Sequence, residues 1–257
     1  MQILFLDIDG TVLSHTSNFI PNSAINAINT IRNQGIVVVG CTGRHALELE
    51  KLPLTELKVD GWITMNGAYN YLNDGTVITH YPIDTKDIHV LYNAVKKHPF
   101  PVQFLEKNRM YMNMHDDYVK ESLEKIHSKQ DPIQPLDRIL KHPIYMFIPW
   151  VKKEIFDSIQ NEMNHTTCVR WNDYAIDCFH ESCGKLRGVQ DVLKYFDISK
   201  EEAGCVGDAD NDLSMFEGCG HCVAMGNATM ALKEKADFIT DDIDKDGLEK
   251  AIKYLVK

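Results

Sequence analysis

Ile3-Leu4-Phe5-Leu6-Asp7-Ile8-Asp9-Gly10-Thr11 is the stretch on which the fold turns. Four apolar residues run without a break into two acids, a glycine and a threonine. A near-continuous apolar run of this kind marks a strand buried on both faces, as at the centre of a parallel sheet. The Asp-x-Asp-Gly-Thr string then sets two carboxylates on the loop at the strand's carboxyl end. In an open parallel sheet that end is where ligands bind.

Outward from this strand the pattern alternates. Asn22–Asn33 has Ala24, Ile25, Ala27, Ile28 and Ile31 at helical spacing, with Pro21 just ahead and Gly35 past the end. Ile36–Val39 reads as a second buried strand running into Gly40-Cys41-Thr42-Gly43-Arg44, Ala46–Leu52 as a short helix and Gly61–Met65 as a third strand. Strand–helix–strand alternation implies a parallel sheet with right-handed crossovers. Asp74-Gly75, between two β-rich arms, makes Asn70–Tyr81 a hairpin.

From Asp84 to Cys183 the texture changes, and seven of the eleven histidines fall here. The expected order is helix 86–97, strands 102–105 and 110–114, helix 118–127, strand 144–148, helix 152–163, and strands 168–171 and 174–178. The parallel pattern then resumes. A helix over Lys185–Phe196 carries Leu186, Val189, Val192, Leu193 and Phe196 on one face. Strand 203–206, helix 210–216, strand 222–225, helix 230–235, strand 238–240 and helix 247–256 follow. The fold class is therefore α/β. A Rossmann-like parallel-sheet core, residues 1–83 and 184–257, is interrupted by an inserted α/β cap domain, residues 84–183.

Composition narrows the function. Among 257 residues, 27 Lys and Arg face 37 Asp and Glu, a formal charge of −10. That field repels nucleic acid and anionic membrane surfaces, so no nucleic-acid or membrane partner is expected. No apolar run approaches the ~18–20 residues of a membrane span. The amino terminus, interrupted by Asp7 and Asp9, reads as a strand and not as a signal peptide. Seven cysteines, an odd number, fit reduced thiols in a cytoplasmic protein. Nothing in the sequence reports oligomeric state.

Two acidic loops sit at expected strand ends: the one after Leu6, and Gly207-Asp208-Ala209-Asp210-Asn211-Asp212. Carboxylates brought together there repel one another unless a cation joins them. For hard oxygen donors Mg²⁺ is the natural cation. Thr42, Gly43 and Arg44, with Lys185 opening a helix, add a hydroxyl, N–H donors and an ammonium, a set suited to a phosphoryl group. Each piece alone has a plain reading: a turn with Asp caps, a chance helix start, a solvated lysine. Their joint order, each at a strand end or helix start, is what makes an accident implausible.

In that order the motifs resemble the haloacid dehalogenase-like hydrolase superfamily, specifically Cof-type phosphatases with a type IIB cap inserted between the second and third motifs. The resemblance runs from Ile3–Thr11 through Ile63-Thr64-Met65-Asn66-Gly67-Ala68 to Val223-Ala224-Met225-Gly226-Asn227-Ala228 and the tail. Bacterial sugar-phosphate phosphatases are the likeness within it. The resemblance implies Asp7 as nucleophile and Asp9 as general acid/base. It implies Thr42, with Gly43 and Arg44, for phosphate and substrate, and Lys185 for charge balance. Mg²⁺ would be held by the Asp7 carboxylate, the Asp9 backbone carbonyl and Asp208, with Asp212 supporting the metal site and Asn211 orienting the substrate phosphate. One departure concerns the third motif. The family reads Lys-Gly, whereas Lys185 is followed by Leu186, and Arg187-Gly188 comes next. The apolar face of the helix puts Lys185 at the motif position and leaves Arg187 as the fallback.

The implied function is Mg²⁺-dependent hydrolysis of a small phosphorylated substrate, a phosphate monoester and foremost a sugar phosphate, through an aspartyl phosphate, with the cap closing to exclude water. A phosphomutase with the same core motifs is the alternative enzyme. A non-catalytic binding protein of the same fold is the alternative from another class, and it predicts lost carboxylates where Asp7, Asp9 and Asp208 are all present. Cys219-Gly220-His221-Cys222 looks like a redox motif, but it follows a helix and runs into a strand, whereas such a thiolate is activated by opening a helix. Arg170-Trp171-Asn172-Asp173 is either a substrate-facing loop or a hairpin tip.

Overall fold

The computed structural model describes residues 1–256 except 15, 18, 55, 126–129, 171, 172 and 174. Its strands, in chain order, are β1 (Ile3–Asp7), β2 (Val37–Cys41), β3 (Gly61–Thr64), β4 (Tyr69–Leu72) and β5 (Val77–His80), then β6 (Val102–Glu106), β7 (Arg109–Met112), β8 (Met146–Pro149), β9 (Thr166–Arg170) and β10 (Ile176–His180), and finally β11 (Ala203–Gly207), β12 (His221–Ala224) and β13 (Phe238–Ile239). They form two compact units, Met1–His80 with Cys183–Lys257, and Tyr81–Ser182.

In the first unit eight strands make one sheet, ordered β13-β12-β11-β1-β2-β3-β4-β5. The pairings from β13 to β3 are parallel, and β4 and β5 complete an antiparallel edge. Ile3, Leu4, Phe5 and Leu6 of β1 are wholly buried. Each such side chain contributes about 1.5–3 kcal/mol on full burial, which explains why this strand lies centrally. Register then decides where the acids go. Asp7 pairs with Cys41 of β2, and Leu6 with Val206 of β11. The residues that follow each partner, Thr42 and the loop at Asp208, therefore emerge beside Asp7 at one end of the sheet.

The helix Lys185–Phe196 buries Val189, Val192 and Leu193, and with them Lys185. One element thus supplies both core packing and a buried ammonium. The expected helix over 210–216 divides into a 3-10 turn, Asp210–Asp212, and an α-helix, Leu213–Glu217. The physical reason lies in the Asp212 side chain. Its Oδ2 accepts the N–H groups of Asp208 and Ala209 at 2.9 and 3.1 Å, folding the turn back on its own start.

The second unit is a five-stranded antiparallel sheet ordered β7-β6-β8-β10-β9, carrying helices Thr85–Lys97, Asp117–Lys125 and Lys153–Gln160. Phe104, Tyr111, Phe147 and Phe156 fill its core. Buried Asp87 accepts from the N–H groups of Asn164 and His165 and the hydroxyl of Thr166. The 3-10 helix Leu136–Leu140 lacks the apolar periodicity that would have announced it. The expected strands 168–171 and 174–178 are found as Thr166–Arg170 and Ile176–His180. Trp171, Asn172 and Tyr174, and the end of the expected helix 118–127, lie outside the described residues. Among the described residues no helix is long and apolar enough to cross a membrane.

Candidate active site

Lys185 is the hub. Its Nζ donates to Asp7 Oδ1 and to Asp212 Oδ1, each at 2.6 Å. The three side chains are 2%, 8% and 0% exposed. Asp208 completes the group: Asp7, Asp208 and Asp212 each offer a carboxylate oxygen within 4.8 Å of the others. Thr11 supports it from the first loop, its hydroxyl donating to Asp208 Oδ1 at 2.9 Å. Both Asp212 oxygens are engaged, one by Lys185 and the other by the loop N–H groups.

Charge does not balance in this cluster. Burial, then repulsion by Asp212, holds the Asp7 carboxyl well above the usual carboxylate range, with Lys185 pulling the other way. Burial also raises Asp208, against the hydrogen bond from Thr11. For Lys185, burial works against the ammonium, but Asp7 and Asp212 together outweigh it and raise its pKa well above the ordinary value. The lysine is therefore charged, and one cation faces three acids. Oxygen donors crowded around excess negative charge fit a hard divalent cation.

The loop geometry depends on Gly10. Its φ is +87°, and a Cβ there would lie 2.2 Å from Asp208 Oδ2. Only glycine accepts both the left-handed backbone and the close approach. Asn227 Nδ2 donates to the Gly10 carbonyl at 2.8 Å and ties the loop to the segment after β12.

Asp9 points elsewhere. Its carboxylate takes two hydrogen bonds from Arg44, Nε to Oδ2 and Nη2 to Oδ1, both at 2.7 Å. This fork-to-fork pair is the strong form of a carboxylate–guanidinium contact. Arg44, expected to contact substrate, is thus held by Asp9, and the hydrogen bonds it donates to that carboxylate raise its pKa above the ordinary value. Thr42 is buried, and its Oγ1 accepts the Arg44 N–H at 3.1 Å. Gly43 lies between them on the loop, partly exposed. Asn211 is exposed on the turn beside Asp212. Of the two candidates for the third motif, Lys185 stands in the cluster, whereas Arg187 pairs with Asp191 one turn on, at 3.1 Å.

Thr11, Asn227 and the segment Met65–Gly67 belong to the motifs, but the sequence alone gives them no role. Small polar side chains have many uses, and only the tertiary partner decides among them. The Cys-Gly-His-Cys stretch leaves a helix that ends at Glu217 and leads into β12. Cys219 and Cys222 are buried, and the Cys222 thiol donates to the Phe216 carbonyl at 3.3 Å.

Comparison with known proteins gives the family. Residues 4–252 match the family model described as haloacid dehalogenase-like hydrolase. The Bacillus subtilis protein YkrA, which carries a phosphatase name, is 30% identical over 264 residues, spanning 99% of this chain and 97% of its own. The solved structure of BT1666 from Bacteroides thetaiotaomicron, studied among phosphatases of the haloalkanoate superfamily, superposes with a TM-score of 0.90 at 26% identity, covering 100% and 95% of the two chains. The subclass IIB sugar phosphatase BT4131 gives 0.83 at 28% identity, covering 100% and 99%. The chain belongs to the haloacid dehalogenase-like hydrolase family. Within it the chain is a phosphoric monoester hydrolase of the Cof type.

Proposed function

We propose that this phosphatase hydrolyses a small phosphate monoester, foremost a sugar phosphate, in two steps through an aspartyl phosphate on Asp7, with Mg²⁺ as cofactor. The observation that carries the reading is the buried Asp7–Lys185–Asp212 contact beside Asp208. Lys185 donates to Asp7 Oδ1 and so orients the attacking carboxylate. In the first step an Asp7–phosphorus bond forms in line as the bond from phosphorus to the leaving oxygen breaks. The leaving alkoxide needs a proton, and Asp9 supplies it after exchanging its contact with Arg44. In the second step Asp9 takes a proton from the water that attacks phosphorus, and Asp7 is released as carboxylate. Lys185 lowers the repulsion between Asp7 and the incoming phosphate, while the Thr42 hydroxyl and the backbone around Gly43 offer donors to its oxygens.

Asp7, Asp208 and the Asp9 backbone carbonyl would hold Mg²⁺, with Asp212 behind them. When bound, the ion neutralises phosphoryl charge. The sugar-phosphate class rests on the likeness to a subclass IIB sugar phosphatase across the full chain. Seven cysteines, an odd number scattered through the chain, fit reduced thiols and so support a reducing compartment, the cytoplasm.

The test is release of inorganic phosphate by the purified chain with Mg²⁺ from a panel of hexose, pentose, triose and nucleotide phosphates. Hydrolysis of at least one sugar phosphate well above the metal-only background is expected. No hydrolysis across the panel overturns the reading, and product appearing as a positional isomer in a coupled assay marks a mutase instead.

A further inference from the structure

Three consecutive residues at the end of β3 have left-handed backbone: Met65, Asn66 and Gly67, with φ of 49°, 53° and 84°. Left-handed conformations are normally single-residue events, unfavourable for L residues other than Gly and, to a lesser degree, Asn. A run of three persists only where its surroundings over-determine it, and such segments cluster at functional sites.

The surroundings here are the two halves of the phosphoryl site. On one side the chain runs along the loop after β2. Thr42 N donates to Ile63 O at 2.9 Å, Met65 N to Arg44 O at 3.1 Å, and Asn66 N to Thr42 O at 3.2 Å. On the other side Gly67 lies against Gly184. A Cβ on Gly67 would sit 2.4 Å from the Gly184 carbonyl oxygen and 3.1 Å from its carbon. Gly184 directly precedes Lys185, and the same oxygen accepts the Gly188 N–H at 3.0 Å in the first helical turn. The obstruction is backbone and cannot swing aside as a side chain would.

We propose that the Met65–Gly67 turn is a positioning element for phosphoryl transfer, a backbone gauge that sets the distance between the Thr42–Arg44 loop and the Lys185 ammonium. The loop would bind the phosphate, and Lys185 orients the attacking carboxylate. The turn touches the loop through Thr42 and Arg44, and touches Gly184, the residue before Lys185. It acts through those residues and touches no reacting atom itself. The proposal rests on the phosphatase reading above.

The test uses the full chain and a pair of variants that both remove the Asn66 side chain. Asn66→Val disfavours the left-handed backbone strongly, because a β-branched residue is the poorest fit there. Asn66→Gly tolerates that backbone freely. For Asn66→Val, kcat for the best ester of the panel is expected to fall roughly 10–100-fold, the scale of an ångström-level misplacement of reacting groups. Asn66→Gly is expected to restore kcat to within about threefold of the parent, since glycine keeps the conformation. Gly67→Ala should match the valine variant. Two readouts separate positioning from general damage. Circular dichroism should show folded protein in each case, and calorimetric titration with inorganic phosphate plus Mg²⁺ should weaken in Asn66→Val and recover in Asn66→Gly.

Equal losses in Asn66→Val and Asn66→Gly, or a Gly67→Ala variant with parental kcat and phosphate affinity, would overturn the proposal. If Gly67→Ala fails to fold, the Asn66 pair decides alone. A parent that hydrolyses no ester overturns the phosphatase reading instead, and phosphate titration of the Asn66 pair still judges the turn. A parent that also binds no phosphate overturns both.

Discussion

Lys185→Met removes the ammonium while keeping most of the side-chain volume. Asp7 and Asp212, 8% and 0% exposed, are left facing each other with no cation between them. Removing one partner of a buried ion pair costs about 3–5 kcal/mol, and here a single ammonium serves two carboxylates, so the upper part of that range is expected. At roughly 2–4 °C per kcal/mol for a unit of this size, a loss of about 4–5 kcal/mol should lower the melting temperature by roughly 8–20 °C in metal-free buffer at pH 8. The pH dependence has a definite sign. The native Asp7 carboxyl already lies above its ordinary value through burial, and loss of Lys185 raises it further. A carboxyl whose native pKa is raised binds protons on folding, so stability falls as pH climbs from the unfolded value, near ~3.9, through the native one. The variant has the higher native pKa and goes on losing stability after the parent has stopped. The gap between parent and variant should therefore be narrower at pH 5 than at pH 8. Added Mg²⁺ should narrow it at pH 8, because the cluster without its ammonium is more negative and a cation that binds only the folded state then stabilises the variant more than the parent. Thermal unfolding followed by circular dichroism at both pH values, with chelator or Mg²⁺, reads all three effects. Equal melting temperatures, or a gap at pH 5 as wide as at pH 8, would refute the electrostatic account of this cluster.

Asp9→Asn keeps the nucleophile and loses proton delivery, so its first step should slow by ~10²–10⁴ with an alkyl phosphate and far less with p-nitrophenyl phosphate, whose leaving group needs no proton. Rapid quench should then show a p-nitrophenol burst followed by slow turnover, and equal losses on the two substrates would show the role misassigned. Gly10→Ala forces a Cβ to within 2.2 Å of Asp208 Oδ2 at a left-handed position, so calorimetry should find Mg²⁺ affinity reduced about 10–100-fold. Unchanged affinity would remove Asp208 from the metal site. The double change Cys219→Ser, Cys222→Ser should leave turnover within a small factor and lower the melting temperature, since both thiols are buried. Activity that responds to oxidant in the parent and not in the double variant would contradict that structural role.

What could be read beforehand was what is encoded locally. Asn22–Asn33 and Lys185–Phe196 have the same bounds in sequence and structure, because a one-sided apolar period, with Pro21 ahead of the first helix, fixes them without distant help. The central place of β1 followed from its unbroken apolar run. The candidate site was legible as a set of residues, since each stands at a strand end or helix start whose position is itself local. Partnerships were not legible. Arg44 pairs with Asp9, and Asp212 folds its own turn into a 3-10 form, through contacts that span 35 residues and four residues respectively. The left-handed run at Met65–Gly67 follows an ordinary strand, and nothing in Met-Asn-Gly other than the Asn-Gly pair marks it. In the inserted unit the antiparallel order arises from β6 pairing with β8 across 40 or so residues, information that periodicity does not hold.

Covalent capture of the phosphoryl group tests the central claim most directly. The parent enzyme, mixed with a turned-over sugar phosphate and Mg²⁺ and quenched in acid on the millisecond scale, should carry one phosphoryl group. Peptide mass mapping should place it on Asp7, hydroxylamine should remove it, and Asp7→Asn should show none. A parent that releases phosphate in a full single turnover while Asp7 stays unmodified at every quench time, or a label mapped to any other residue, would contradict the account.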